Sequence, residues 1–248
     1  GNIQFKDVHF SYIENEEVIK GINLDVKAGE TIAIVGSTGA GKSTIINLLN
    51  RFYEIQKGSI LIDGHNVHDY SLTSIRKQIA VVLQDVFLFA DTILNNITLN
   101  NPNITREDVI ASAKKIGVHD FIMTLPHGYD YNVKERGIML SSGQRQLIAF
   151  FFYYVSNPSI LILDEATSSI DSYSEELIQN ATDAITKGRT SIVIAHRLAT
   201  IINANKIVVM QRGKIIETGT HSELLVKNGT YRKLYELQFA EEEADASK

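Results

Sequence analysis

Residues 31–53 read "TIAIVGSTGAGKSTIINLLNRFY", and how this stretch folds decides the rest. "TIAIV" (31–35) is a continuous β-branched run, the pattern of a strand buried on both faces. A glycine-rich turn follows, and then "STIINLLNRFY" carries apolar residues at helical spacing. The unit is therefore strand, loop, helix. Its loop, Gly36-Ser37-Thr38-Gly39-Ala40-Gly41-Lys42-Ser43-Thr44, meets the pattern G-x-x-x-x-G-K-[ST]. Glycines let backbone N–H groups turn inward on phosphate oxygens, and the helix N-terminus adds its dipole. Lys42 offers a positive charge for the β- and γ-phosphates, and Ser43 an oxygen for Mg²⁺. The dinucleotide pattern G-x-G-x-x-G is not met, because the glycines fall at 36, 39 and 41.

Outward from this unit the chain reads as an α/β core with an interruption. Before it, "IQFKDVHFSY" and "VIKGINLDV" alternate as strands do, with a turn around Asn15. After it, "GSILIDG" (58–64) is a strand closed by an Asp-Gly turn. From about Asp85 to Asn157 helical spacing takes over. Thr105, with Asp108 three residues on, is the expected N-cap of one of these helices. Strand character returns in "ILIL" (160–163), "SIVIA" (191–195) and "KIVVM" (206–210), the last turning at Arg212-Gly213 into "KIIETG". The acidic end "EEEADASK" is expected to fray.

Composition sets the limits. The 248 residues suffice for one large domain or a core with an insertion. Apolar residues at 44% and charged residues at 21% are ordinary for a globular protein. A net charge of −5 provides no general attraction to nucleic acid or anionic lipid. The absence of cysteine excludes disulfides and thiolate metal sites. No signal peptide is visible, and the longest apolar run, Leu147 to Val155, is less than half the roughly 20 residues that span a bilayer.

Two more segments carry chemistry. "ILILDEATSSID" (160–171) delivers Asp164 and Glu165 at the C-terminal end of a strand, where α/β sheets place their ligands. Asp164 suits Mg²⁺, and Glu165 suits the proton of an attacking water. "LSSGQ" (140–144) holds no acid, base or nucleophile. Ser141 and Gln144 have capping-box spacing, so a helix is expected to begin there and to offer its amides to phosphate. Three further residues are weak signals in isolation: Tyr12, Gln84 at the end of "IAVVLQ", and His196 at the end of "SIVIAH".

The P-loop, "VVLQD", "LSSGQ", "ILILDEA", "SSID" and "IAHR", in that order, resemble the ATP-binding subunits of ABC transporters over essentially the whole chain. The resemblance implies a P-loop NTPase core (1–84 and 159–248) with an antiparallel β-subdomain and an inserted helical subdomain (85–158). It implies ATP and Mg²⁺ as ligands, with Ser43, Asp164 and Gln84 on the metal and Gln84 sensing the attacking water. It also implies that Tyr12 stacks on adenine, that His196 contacts the γ-phosphate, and that Glu165 is the catalytic base. Ser141, Ser142, Gly143 and Gln144 then look like the family's signature segment. They would bind ATP held by a second subunit, identical or homologous, with Asp171 reaching across the interface.

"YNVKERG" (131–137) and "DVFLFADTILNNI" (85–97) resemble exporter segments. They imply transmembrane domains fused upstream, at the cytoplasmic face of a membrane, and no nucleic-acid partner. Phe87, Leu88 and Phe89 fit a docking patch, although a small satellite core would read identically. Two positions depart from the family pattern: Ser142 stands where Gly is usual, and Phe152, in "AFFFYYV" (149–155), where Arg is usual. Altered packing of that helix is expected. A soluble ABC-type ATPase and a nucleotide-gated clamp with little hydrolysis are the competing readings.

Overall fold

A computed structural model of the chain describes residues 1–82, 86–164, 172–195 and 198–238. Among these described residues the chain begins with β1 (Ile3–Ser11), β2 (Glu17–Val26), β3 (Thr31–Val35), α1 (Lys42–Leu49), β4 (Lys57–Ile62), β5 (His65–Asn66), α2 (Leu72–Gln78) and β6 (Ile79–Val82). Helices α3 (Ile93–Thr98), α4 (Arg106–Lys115), α5 (His119–Thr124) and α6 (Ser142–Ser156) follow. The chain then runs through β7 (Ile160–Asp164), α7 (Ser172–Thr186), β8 (Thr190–Ile194), α8 (Leu198–Asn203), β9 (Lys206–Gln211), β10 (Lys214–Gly219), α9 (His221–Lys227) and α10 (Thr230–Gln238).

The chain divides into two compact units. The first, Gly1–Val81 with Ser159–Glu165 and Gly188–Lys248, holds two sheets. One is four-stranded and antiparallel, in the order β2-β1-β4-β5. The other is six-stranded, in the order β10-β9-β3-β8-β7-β6. In it β9, β3, β8 and β7 run parallel, while β10 closes one edge as an antiparallel hairpin partner. One core takes in Ile3, Val8 and Ile19 from the first sheet, Ile32, Ile34, Ile162, Ile192 and Val208 from the second, and Ile45, Leu48 and Leu49 from α1. From Ile32 to Val35, β3 is buried throughout, which is why it reads as an unbroken apolar run rather than an alternation.

The hairpin turns sit where the sequence marks them. Asp63-Gly64 and Arg212-Gly213 have positive φ at both positions, the conformation whose twist suits a two-residue hairpin. Strand β1 contains a bulge: pairing with β2 slips between Phe5 and Val8, and Asp7 has φ 45°. The slip resets the alternation, so Ile3 and Phe5 before it and Val8 and Phe10 after it all face the core.

The second unit, Val82–Pro158 with Ala166–Lys187, is helical. Helix α4 begins at a capping box in which Thr105 accepts from the Asp108 amide and Asp108 accepts from the Thr105 amide. Within this unit α6 packs on α7. Helix α7 thus groups with the helices, whereas the sequence alone runs the core without interruption from residue 159. No helix among the described residues is long and apolar enough to cross a membrane.

Candidate functional site

The loop between β3 and α1 is built around its glycines. A Cβ on Gly36 would lie 2.3 Å from the carbonyl oxygen of Met210 on β9, so any other residue there would force the backbone apart. Among the described residues, no heavy atom lies within 4 Å of where a Cβ on Gly39, at φ 77°, would stand, so its role is conformational. The Ala40 amide donates to the Ser37 carbonyl (3.1 Å), and the Ala40 carbonyl accepts from the Gly213 amide (3.0 Å). The loop is thereby fastened to the β9–β10 turn. Ser37, Thr38, Gly39 and Ser43 are exposed, while Ala40 and Thr44 are buried beneath them.

Lys42 opens α1, and its ammonium curls back into the loop. Nζ donates to the carbonyls of Gly36 (2.7 Å) and Ser37 (3.1 Å). Burial lowers its pKa from the ordinary lysine value, and the negative charge of Asp164 works in the opposite direction. Gly41, the residue before α1, contributes no side-chain cap, and the first turn holds no acidic residue. A cation, a positive helix end and glycine backbone thus converge without a carboxylate of α1's own to neutralise them. Such a donor set fits a polyphosphate.

Parallel pairing explains why Asp164 reaches this place. Asp164 pairs with Ile194, and Ile34 pairs with the same Ile194 from the other side. The end of β7 and the end of β3 therefore lie in one row across the sheet, two strand spacings apart, or roughly 10 Å. Asp164 is half-buried there.

Tyr12 follows β1 directly. Its ring meets Phe10 edge-on (centroids 4.8 Å apart) and Tyr53 edge-on (5.0 Å), and remains 45% exposed. Its hydroxyl donates to Thr44 Oγ1 (3.2 Å) and accepts from Asn47 Nδ2 (3.3 Å). Tyr12, the 36–44 loop and Asp164 thus belong to the first unit. Asn47 and Tyr53 escape the sequence reading; both fall in the quoted stretch, Asn47 three residues after Thr44 on the same helix face.

Ser141, Ser142, Gly143 and Gln144 belong to the second unit, where they start α6. The Ser141 hydroxyl accepts from the Gln144 amide (3.2 Å), and Gln144 Oε1 accepts from the Ser141 amide (3.0 Å), completing the expected capping box. Ser141 and Ser142 are exposed and Gly143 is buried. Farther along α6, Phe150 and Phe151 are buried while Phe152 is only partly covered, its ring against Tyr153 (4.8 Å). Phe87 and Phe89 are exposed and touch each other edge-on (5.4 Å), whereas Leu88 is buried. The three residues therefore divide: Leu88 is core and the two phenylalanines are surface. With Val86, Lys134, Arg136 and Ile138, Phe87 lines an open groove.

Gln84, Glu165, Asp171 and His196, and the end "EEEADASK", lie outside the described residues.

The sequence profile of the ABC transporter family matches residues 19–168. A protein of Staphylococcus aureus strain NCTC 8325, described as a multidrug export ATP-binding/permease protein, is 52% identical over 239 residues, covering 96% of this chain and 41% of its own length. The counterpart in strain COL matches to the same extent. Among solved structures, a bacterial Atm1-family ABC exporter with ATP bound superposes with a TM-score of 0.86 at 41% identity, over 96% of this chain and 42% of that one. The chain thus spans about two-fifths of the length of the relatives it matches.

Proposed function

The chain belongs to the ABC transporter family, and from that premise we propose that it is the ATP-binding and ATP-hydrolysing domain of an exporter. In this reading it works in pairs, identical or homologous, that close on two ATP molecules and drive transmembrane domains carried in the same polypeptide. The relatives described as ATP-binding/permease proteins, of which this chain matches 41%, support that fusion and a position at the cytoplasmic face of a membrane. The observation that carries the proposal is the half-buried Lys42 ammonium inside a glycine loop, with Asp164 at the end of a parallel strand two places across the sheet from β3.

The residues divide the work as follows. Tyr12 stacks on adenine. The 36–44 backbone and Lys42 hold the phosphates and draw off charge as the γ-phosphoryl departs. Ser43, Asp164 and Gln84 would hold Mg²⁺, which when bound neutralises the β- and γ-oxygens. Glu165 orients the attacking water and accepts its proton, and His196 steadies the γ-phosphate. The α6 N-terminus, with Ser141, Ser142 and Gly143, serves the ATP of the second subunit, helped by Asp171. Its amides and dipole need no charged side chain for that purpose.

Sedimentation with and without nucleotide tests the shared site. Glu165→Gln keeps its size but accepts no proton, so with ATP–Mg²⁺ it runs as a dimer, and without nucleotide as a monomer. Adding Ser141→Arg blocks the close approach of the α6 N-terminus to phosphate, and the double variant binds ATP yet stays monomeric. Dimerisation of the double variant equal to that of Glu165→Gln would reject the shared site.

A further inference from the structure

The ring proposed to meet adenine is held at more points than its position requires. Tyr12 stands just beyond the end of β1, where a phenol is free to swing about two side-chain torsions. Instead its hydroxyl is engaged twice, donating to Thr44 Oγ1 (3.2 Å) and accepting from Asn47 Nδ2 (3.3 Å). Phe10 and Tyr53 stand at right angles to its ring, with interplanar angles of 87° and 89°. Thr44 and Asn47 are one turn apart on α1, the helix that begins at Lys42. The two contacts therefore tie the aromatic platform to the same rigid element that starts the phosphate loop.

We propose that Asn47 is a positioning residue for the base platform. It touches neither base nor phosphate; through the Tyr12 hydroxyl it fixes the angle of the ring relative to α1, and so the distance between base and phosphate subsites. A ring already ordered stacks without a further loss of rotational freedom, which is where such a tether gains affinity. Both hydrogen bonds are long, so the expected effect is that of one weak contact. The inference rests on the reading that Tyr12 stacks on adenine.

Titration calorimetry with two probes, ATP–Mg²⁺ and inorganic tripolyphosphate, separates the possibilities. Asn47→Leu weakens ATP by about three- to fivefold and leaves tripolyphosphate unchanged. Asn47→Ala, which removes the donor without adding bulk, gives the same pattern. In a Tyr12→Phe background, where the hydroxyl is already absent, Asn47→Leu causes no further loss. Equal losses for both probes would mean that Asn47 only shapes α1, and would overturn the inference. So would an undiminished Asn47→Leu effect in the Tyr12→Phe background, or unchanged ATP binding. Tyr12→Ala keeps the two failures apart. If it binds ATP as the unaltered chain does, the adenine reading falls and the tether with it; if it weakens ATP while Asn47→Leu does not, the tether alone falls.

Discussion

At the scale of single residues, Lys42 separates function from folding. Its ammonium is satisfied by two loop carbonyls, and burial lowers its pKa, so the cation is held at some cost to the folded state. We expect Lys42→Ala to weaken ATP binding by roughly 10- to 100-fold, the loss of a charged hydrogen bond or two. Melting without nucleotide should stay within about 3 °C of the unaltered chain, the shift that 1 kcal/mol makes in a domain of this size. Calorimetry with and without ATP measures both. That loop is legible in sequence because it is local: nine consecutive residues, from the end of a strand into the first turn of a helix, specify it. The Tyr12 tether is not, because its partners lie 32 and 35 residues away and meet it only once β1 and α1 share a core.

At the scale of elements, sequence pattern succeeds where one segment sets its own boundary and falls short where packing decides. The capping box at Ser141 lies within four residues, and α6 begins where that spacing says. Which of the phenylalanines in "AFFFYYV" faces inward depends instead on the neighbours of α6: Phe151 is fully buried, Phe152 partly exposed. Phe152→Arg should therefore leave ATP binding unchanged and cost less than about 1 kcal/mol, as partly exposed substitutions do. Turnover should change little; a large rise would mean that the natural residue impairs α6 and would favour the clamp reading. Strand β1 shows a phase slip in its apolar residues at 3, 5, 8 and 10, which marks the bulge. At that bulge His9 contacts Glu17 and Asp7, Asp7 pairs with Lys57 (2.8 Å), and His9 lies opposite Lys20 and Lys57 in the ladders. The hydrogen bond to Glu17 raises the His9 pKa, against an opposing effect of burial and with further help from Asp7. The stability it contributes is complete below the ordinary histidine value of about 6.5 and is lost as pH rises through the raised one. Asp7 runs the other way: Lys57 first and then His9 lower its pKa, so its share is present above about 3.9 and fades only in more acid solution. The difference in melting temperature between the unaltered chain and His9→Gln should be largest near pH 5.5 and shrink by pH 8. A constant difference would remove the ion pairs from the account.

At the scale of the whole molecule, the two-unit plan is readable as a change of period, helical between stretches of strand. The membership of α7 is not, since helical spacing cannot say which neighbour a helix chooses; nor do the short helices α2, α8, α9 and α10 stand out in the sequence pattern. The exposed pair Phe87 and Phe89 belongs to this scale too. If it docks on transmembrane domains, Phe87→Ser with Phe89→Ser in the full-length protein should reduce transport per ATP hydrolysed. ATP affinity of the isolated chain should not move, and vesicle transport assays beside titration would show whether it does. One contact made by the β9–β10 turn reaches further than its size suggests. Gly213 donates to Ala40 (3.0 Å) and its carbonyl accepts from Lys20 (2.9 Å), and a Cβ on it would lie 2.1 Å from the Val18 carbonyl oxygen. A two-residue hairpin tip is ordinarily where an engineer would splice a tag or a fluorescent module. Here the tip is a rivet through the phosphate loop, so an insertion at Arg212-Gly213 would leave β9 and β10 paired and still silence the protein.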